Sequence, residues 1–524
     1  MKSRTFILLA VAMMVAHSIR AFNPPTMGWS SWNTFALNIN EQVIKSQADA
    51  MVATGLDKAG YKFVNIDDGY WDGRGEDGNL RLNTQLFPSG MRSLVDYIHS
   101  LGLKAGIYSD AGDNTCGSAG KRAWGLGVGL AGHEERDCKL YFIDWDFDFI
   151  KVDYCGGRHM GLDEREQYTK IGNAIRNCGK PGIVFNVCRW AYPGAWVRDV
   201  ADSWRTTGDI RSRWSSVKAI VKRNLYLQAL TGDGHYNDPD MLEIGRTLSP
   251  DEENTHMAYW CITSAPLLIG CDLTCIPAYS LTLLKNPDLL AMNQDRLGLG
   301  APVVQRQGEV FVFAKDMEKL MGRKRAVVVT NLSDEPQSLA LDFEALGFTG
   351  AVKVYDCFSH EVVAKKTTAF TTTVPAHGST AYFITGRRCE KRVYQAEEAF
   401  LPSFQEIRKA ETTRPAEDVA ADQGAYVGYI GNGAENTLEW RNVYSARGGD
   451  YIISLRYASG EPRDLTVDVN GQQQTLRSLN TGDYATHWQT SDLKVTLRKG
   501  YNTVRLSNTT AWAPNVDCMT LRPL

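Results

Sequence analysis

"FDFIKVDYCGG" runs from Phe147 to Gly157. Its first eight residues have the aromatic and β-branched content of a buried strand. Yet the strand carries a lysine and an aspartate two residues apart and then breaks at two glycines. Side chains alternate along a strand, so Lys151 and Asp153 project to one side, with Phe147 and Phe149 lower on it. A lysine beside an aspartate favours the ionised carboxylate. An ionised, poorly solvated carboxylate is a nucleophile or a charge stabiliser. A buried ion pair contributes little net stability, so a purely structural pair is the weaker reading.

The flanking sequence repeats this pattern. Short apolar runs "KFVNIDD" (62–68), "LKAGIYSD" (103–110), "GIVFNVC" (182–188), "SWRTTGD" (203–209) and "PLLIG" (266–270) alternate with amphipathic stretches. Those include "PSGMRSLVDYIHSLG", "EREQYTKIGNAIRNCG" and "WSSVKAIVKRNLYLQAL". With "MGWSSW" (27–32) and a short strand before "NDPDML", about eight β/α units fill residues 22–298, the size of a (β/α)8 TIM barrel. No G-x-G-x-x-G opens the first unit, which argues against a doubly wound sheet. Residues 299–388 hold β runs without helices between them, such as "EVFVFAKD" and "RAVVVTNLS", and predict an antiparallel β domain. Residues 389–524 hold regular short strands with Asn-Gly and Lys-Gly turns, which predict a β-sandwich. The joint falls at Arg387–Arg392, with an opening loop over 402–418.

At 524 residues the chain is too long for one core, so two or three domains are expected. Apolar content of 43% and charged content of 22% are those of a folded, soluble protein. The net charge of −3, without a basic run, argues against a nucleic-acid partner. Lys2 and Arg4 precede an apolar run, Phe6 to Val15, too short to span a bilayer. Residues 1–21 therefore read as a signal peptide, cleaved near Ser18 or Ala21, of a secreted or periplasmic protein. No later stretch has the length and apolarity of a membrane span. Eleven Cys in an exported chain imply disulfides and at least one free thiol. Cys271 and Cys275 are near enough to bridge locally. No CxxC pair or His/Cys cluster suggests zinc.

Polar groups that are costly to bury collect at one end of the predicted strands. Asp67 and Asp68 follow the second, Tyr108 and Asp110 the third, Lys151 and Asp153 the fourth. Cys188 and Arg189 follow the fifth, Arg205 and Asp209 lie on or after the sixth, and Asp238 and Asp240 end the seventh. Any one aspartate could cap a helix or start a turn. Six strands ending in acids or guanidinium groups mark the active face of a barrel. Glycoside hydrolysis needs two carboxyls, and Asp209, beside Arg205 and after Gly208, is the candidate partner for Asp153. For an acid role its pKa should lie above that of Asp153. Asp67 and Asp68, near Trp29, Trp71 and Tyr108, suit hydroxyl acceptors in a sugar pocket; a calcium site is the rival reading of that pair.

Seven motifs in order, "MGWSSWNTF", "NIDDGYW", "GLKAGIYSDAG", "NTCGS", "IKVDYC", "SWRTTGDI" and "NDPDML", resemble family 27 glycoside hydrolases, the clan D α-galactosidases and α-N-acetylgalactosaminidases. The resemblance implies a retaining, two-displacement mechanism that needs no cofactor and acts on galactose-containing glycans or oligosaccharides. It implies Asp153 as nucleophile and Asp209 as acid/base, with carboxyls roughly 5–5.5 Å apart. It assigns Asp67 and Asp68 to the O4 and O6 region of galactose, Lys151 to O3 and O4, and Arg205 to O2. Trp29 and Tyr108 become pocket walls, Asp240 an acidic pocket residue, and Cys116 and Cys155 a disulfide tying two active-face loops. One departure is "CRWAYPGAW", where Arg189 stands in a loop facing the C2 substituent. Beside Arg205, such a cation argues against an N-acetyl pocket and places Arg189 in the substrate site. β-L-Arabinopyranose is galactose without its exocyclic CH2OH, so a β-L-arabinopyranosidase is the family alternative. A non-catalytic galactoside-binding barrel is the alternative from another class.

"YQAEEA" and, later, "NVDCMTL" resemble carbohydrate-binding modules of the family 6 and 35 type. That resemblance implies a structural calcium on Glu397 and Asp517, with Gln395 where a second Glu is common. It also implies a ligand loop carrying Asn508 and Trp512, the latter stacking on sugar.

Overall fold

A computed structural model of the chain describes residues 23–120, 125–406 and 413–524. The expected signal peptide and part of the expected opening loop lie outside these residues. Among the described residues no helix is long and apolar enough to cross a membrane.

Eight parallel strands form one curled sheet: β1 (Met27–Ser30), β2 (Phe63–Asn65), β3 (Lys104–Asp110), β4 (Phe149–Asp153), β5 (Val184–Val187), β6 (Ser203–Arg205), β7 (Tyr236–Asp238) and β8 (Leu267–Ile269). They follow one another in chain order, with β8 returning to pair with β1. The ring closes just past β7 through Leu242, whose N–H donates to Leu268 O at 2.7 Å and whose carbonyl accepts the Gly270 N–H at 2.9 Å. This is the expected (β/α)8 barrel.

Its outer helices form where the sequence supplies both a stripe and a start. α1 (Glu41–Ala53) is capped by Asn40, which accepts the Val43 N–H. α2 (Met91–Ser100) buries Met91, Leu94, Val95 and Ile98, the i, i+3, i+4, i+7 face of a helix. α3 (Glu164–Asn177) starts at the Asp163 cap, and α4 (Trp214–Asn224) buries Val217, Ile220 and Val221. α5 (Pro250–Ile262) has a capping box between Ser249 and Glu252, with Pro250 in its first turn. A hairpin, Trp71–Arg74 with Leu80–Leu82, sits unexpectedly between β2 and α2.

Next comes a six-stranded antiparallel sheet spanning Val303–Gln307 to Ser379–Arg388, with a two-stranded companion. Alternation explains its position. Phe311, Phe313, Ala326 and Val328 join the barrel's core, while Val310, Val312, Val327 and Val329 form a second core on the other face. The Phe313 ring meets Tyr259 of α5 edge-on, with centroids 5.3 Å apart.

The C-terminal part is a sandwich of a larger sheet and a four-stranded sheet over its own core, including Trp440, Ile453, Val467, Leu506 and Met519. The two-residue turn Asn470–Gly471 has positive φ at both positions (55° and 92°), as a tight hairpin between right-twisted strands requires. Phe400, at the start of this part, is buried in the barrel's core cluster.

Candidate active site

Phe149 and Lys151 line a cavity at the carboxyl end of the barrel, as their alternation on β4 predicts. Ser30, Asn65, Asp67, Tyr108, Asn186, Arg205, Asp238 and Asp240 complete most of its wall. Asp153 ends β4 beside Asp110 of β3. Its Oδ2 accepts from the Tyr108 hydroxyl at 3.2 Å and its Oδ1 from the Tyr154 N–H at 3.0 Å.

The glycines after Asp153 allow two backbones to touch. A Cβ on Gly156 would lie 2.4 Å from Asn114 O, and one on Gly112 1.9 Å from the Gly156 carbonyl carbon, so neither position admits a side chain. Asp110 stitches the contact by accepting the N–H groups of Gly112, Gly156 and Gly157 at 2.7, 3.1 and 3.2 Å. The Cys116–Cys155 disulfide, implied by the resemblance, is formed across it. Closing a loop of 39 residues of sequence separation removes unfolded-state entropy on the order of 4 kcal/mol in the chain-entropy account.

Lys151 corrects one expectation. Its Nζ bonds Asp67 Oδ2 at 3.0 Å, and it stands 5.1 Å from the Tyr108 ring centre, so its ion-pair partner is Asp67 and not Asp153. Burial disfavours the ammonium, but the carboxylates of Asp67 and, farther off, Asp153 outweigh it and hold Lys151 protonated. Burial also pushes the Asp153 pKa up to about 6; Lys151 opposes this and Asp209 adds to it.

Asp209 lies exposed beyond β6, its Oδ1 3.1 Å from Arg205 Nη2. Partial burial raises its pKa, but Arg205 and Lys151 reverse the sign and hold it below the ordinary value. The expected order, acid above nucleophile, is thus inverted. Burial raises Asp153, while Arg205, which Asp209 touches directly, and Lys151 lower Asp209. The same Nη2 lies 2.7 Å from Asp240 Oδ2, and Arg205 Nη1 is 3.6 Å from the Cys188 thiol. Asp240, at φ 96°, also accepts the Ile210 N–H at 2.8 Å and so fixes the turn that bears Asp209. Burial pushes Asp240 up to about 7, with Arg205 opposing.

Other expected pocket residues lie elsewhere. Asp68 is fully buried, and its carboxylate accepts from the Trp71 indole and the Gly117 N–H, both at 2.7 Å, so only Asp67 of the acidic pair lines the cavity. These donors, with Lys151 on Asp67, also leave the pair unsuited to calcium. Trp29 is fully buried, with its indole N–H on Cys271 O at 2.8 Å. Arg189 does not stand beside Arg205. Its guanidinium reaches Glu164 of α3 at 2.6 Å and covers the Tyr154 ring at 4.9 Å, so it carries no argument about the C2 substituent. Cys271 and Cys275 are separate thiols, one buried and one exposed, because the Leu273–Cys275 turn directs the second outward. Asn186 and Asp238, joined at 2.8 Å, line the cavity but were not assigned roles; inward register on β5 and β7 is the signal that finds them.

Residues 24–295 match the family described as alpha galactosidase A. The chain belongs to that family, glycoside hydrolase family 27. Residues 307–384 match the family's C-terminal beta sandwich domain, and residues 406–523 match carbohydrate binding module family 6. Alpha-galactosidase 2 of Arabidopsis thaliana is 38% identical over 370 residues, covering 70% of this chain and 90% of that protein. Alpha-galactosidase I of Mortierella vinacea superposes with a TM-score of 0.64 at 26% identity, over 70% of this chain and 98% of its own. A family 27 β-L-arabinopyranosidase of Geobacillus stearothermophilus shares the fold at TM-score 0.61 and 25% identity, over 70% and 97%.

In the module, Asn508 gives its amide to Asp464 O at 3.0 Å and accepts the Ala511 N–H at 3.2 Å, so it builds the loop. Trp512 is half-buried, set edge-on to Tyr429 with centroids 5.8 Å apart, and borders a groove of about 820 Å³ over the four-stranded sheet.

Proposed function

We infer that the protein is a retaining α-galactosidase that releases terminal α-linked galactose. The observation that supports this is that Asp153 is bonded to Tyr108 and Asp209 to Arg205, two residues that line one cavity with the Asp67–Lys151 pair, within a family 27 barrel. Asp153, oriented by Tyr108, attacks the anomeric carbon from the β face. Asp209 passes its proton to the departing glycosidic oxygen, leaving a β-galactosyl ester on Asp153. Asp209, now a carboxylate, takes a proton from water. That water opens the ester and gives α-galactose, with Asp209 reprotonated and Asp153 free. The sequence balances with water alone and needs no cofactor. Lys151 donates to, and Asp67 accepts from, sugar hydroxyls. Parallel assays on aryl α-galactoside and aryl β-L-arabinopyranoside test the assignment: the galactoside should be turned over with the larger kcat/KM. Preference for the arabinoside, or no activity on either, would overturn it.

The module supports a calcium ion held by Glu397 and Asp517. Glu397 Oε2 and Gln395 Oε1 are buried without hydrogen-bond partners, and oxygen donors are what a hard cation takes. Asp517 meanwhile pairs with Arg456, which must give way to the ion. Millimolar calcium should raise the melting temperature over that in chelator; an unchanged melt removes the proposal. Binding of galactose-containing glycans by the module, with Trp512 at the groove, belongs to the same reading. Loss of retention on a glycan matrix in Trp512→Ala tests it.

Export rests on Lys2, Arg4 and the apolar run after them. The mature protein should begin just after Ser18 or Ala21, and an intact Met1 in secreted material would contradict this.

A further inference from the structure

The loop after β5, residues 188–196, begins at the catalytic pocket and ends against the C-terminal module. At its start the Cys188 thiol touches Arg205, the residue that holds Asp209 and Asp240. Arg189 is clamped by Glu164, and Trp190 turns the chain at φ 63°. Three residues past Arg189 the loop meets the segment that opens the module. The Phe404 ring stacks on Tyr192 with centroids 5.6 Å apart and planes within 12°. Backbone and side chain then lock reciprocally. The Glu406 N–H donates to Tyr192 O at 3.1 Å, and the Tyr192 N–H donates to Glu406 Oε2 at 3.1 Å. Glu406 is itself fixed from outside by Arg223 of α4, whose Nε lies 3.0 Å from Oε1. The contacts to Tyr192 join residues more than two hundred positions apart in sequence and satisfy backbone groups of a loop that has no sheet to pair with.

We propose that the C-terminal module is a positioning element of the catalytic site, acting through Phe404 and Glu406 on the loop that carries Cys188 to Trp190. The proposal rests on the α-galactosidase reading and deepens it. The loop has two clamps, one from the barrel (Glu164) and one from the module (Phe404 and Glu406). Releasing the second lets the segment between Cys188 and Tyr192 move, and with it the wall against Arg205. Small displacements of such a wall cost substrate affinity before they cost fold. Glu406 and Phe404 touch no reacting atom, so they are positioning residues.

The test uses the full-length enzyme and an α-galactoside that the wild type turns over, so a wrong assignment of activity would show as an inactive parent. Glu406→Ala and Phe404→Ala should each raise KM by roughly tenfold while kcat stays within about twofold. Glu406→Gln keeps an oxygen for the Tyr192 N–H and should restore KM to near wild type. Arg223→Ala removes only the outer support and should change KM by less than about twofold. If Phe404→Ala fails to fold, the two Glu406 variants still decide. A module that merely props the barrel predicts a lowered melting temperature with KM unchanged in both alanine variants, and that result would overturn the proposal.

Discussion

Asp153→Ala is expected to lower kcat on α-galactosides by a factor on the order of 10^4 or more, the scale of losing the group that forms the covalent intermediate. The expectation follows from position. Asp153 is 6% exposed and is aimed by Tyr108 and Tyr154, whereas the three carboxylates that line the cavity are held by other groups, Asp238 among them by Asn186. Asp67 is tied to Lys151, and Asp240 to Arg205 and Ile210. Alanine keeps the cavity and opens its β face. A small anion such as azide should then attack there and give β-galactosyl azide, restoring part of the rate. Wild-type turnover in this variant, or rescue that yields the α-azide, would remove the nucleophile assignment.

Asp209→Ala should fall into a different pattern. General acid catalysis contributes about 10^2- to 10^4-fold, and most of it is needed when the leaving group is a poor one. Sugar aglycones should therefore lose about 10^3-fold or more in kcat/KM, and aryl galactosides with acidic phenols far less. Azide should here give the α-azide, because the ester on Asp153 still forms. The pH profile carries a further sign. The active form needs Asp153 ionised and Asp209 protonated; with Asp209 the lower of the two, wild-type kcat/KM should fall as pH rises past about 6, the raised value of Asp153, and fall on the acid side only below the lowered value of Asp209. In Asp209→Ala only the ionisation of Asp153 remains, so the alkaline limb should vanish and the rate should fall as pH drops through about 6. Arg205 and Lys151 hold Asp209 below the ordinary carboxylate range. The productive arrangement, proton on Asp209 and charge on Asp153, is therefore the minor state of the free pair.

What the sequence made legible was periodic. Alternation on β4 brought Lys151 to the cavity and Asp153 to the strand's carboxyl end on the same side, and the rhythm of strands and helices predicted the barrel. The glycines after Asp153 signalled a turn, although their physical reason, backbone contact with residues 112–114, appears only in three dimensions. What failed depended on partners from distant elements. Arg189 looks like a pocket cation until Glu164 of α3 is beside it. Asp68 looks like a sugar ligand until Trp71 and Gly117 occupy it. The pKa order of Asp153 and Asp209 is decided by the burial of the first and by Arg205 beside the second, and sequence spacing encodes neither. The dock of Phe404 and Glu406 on Tyr192 has no periodic signal in either segment.

The central claim is that two carboxyls at one barrel mouth act in succession on the same anomeric carbon. Proton NMR of the first sugar released, recorded before mutarotation, tests it most directly. The account predicts α-galactose as the first product, with the β-anomer growing in later. β-Galactose appearing first would mean a single displacement by water and would contradict the covalent role of Asp153.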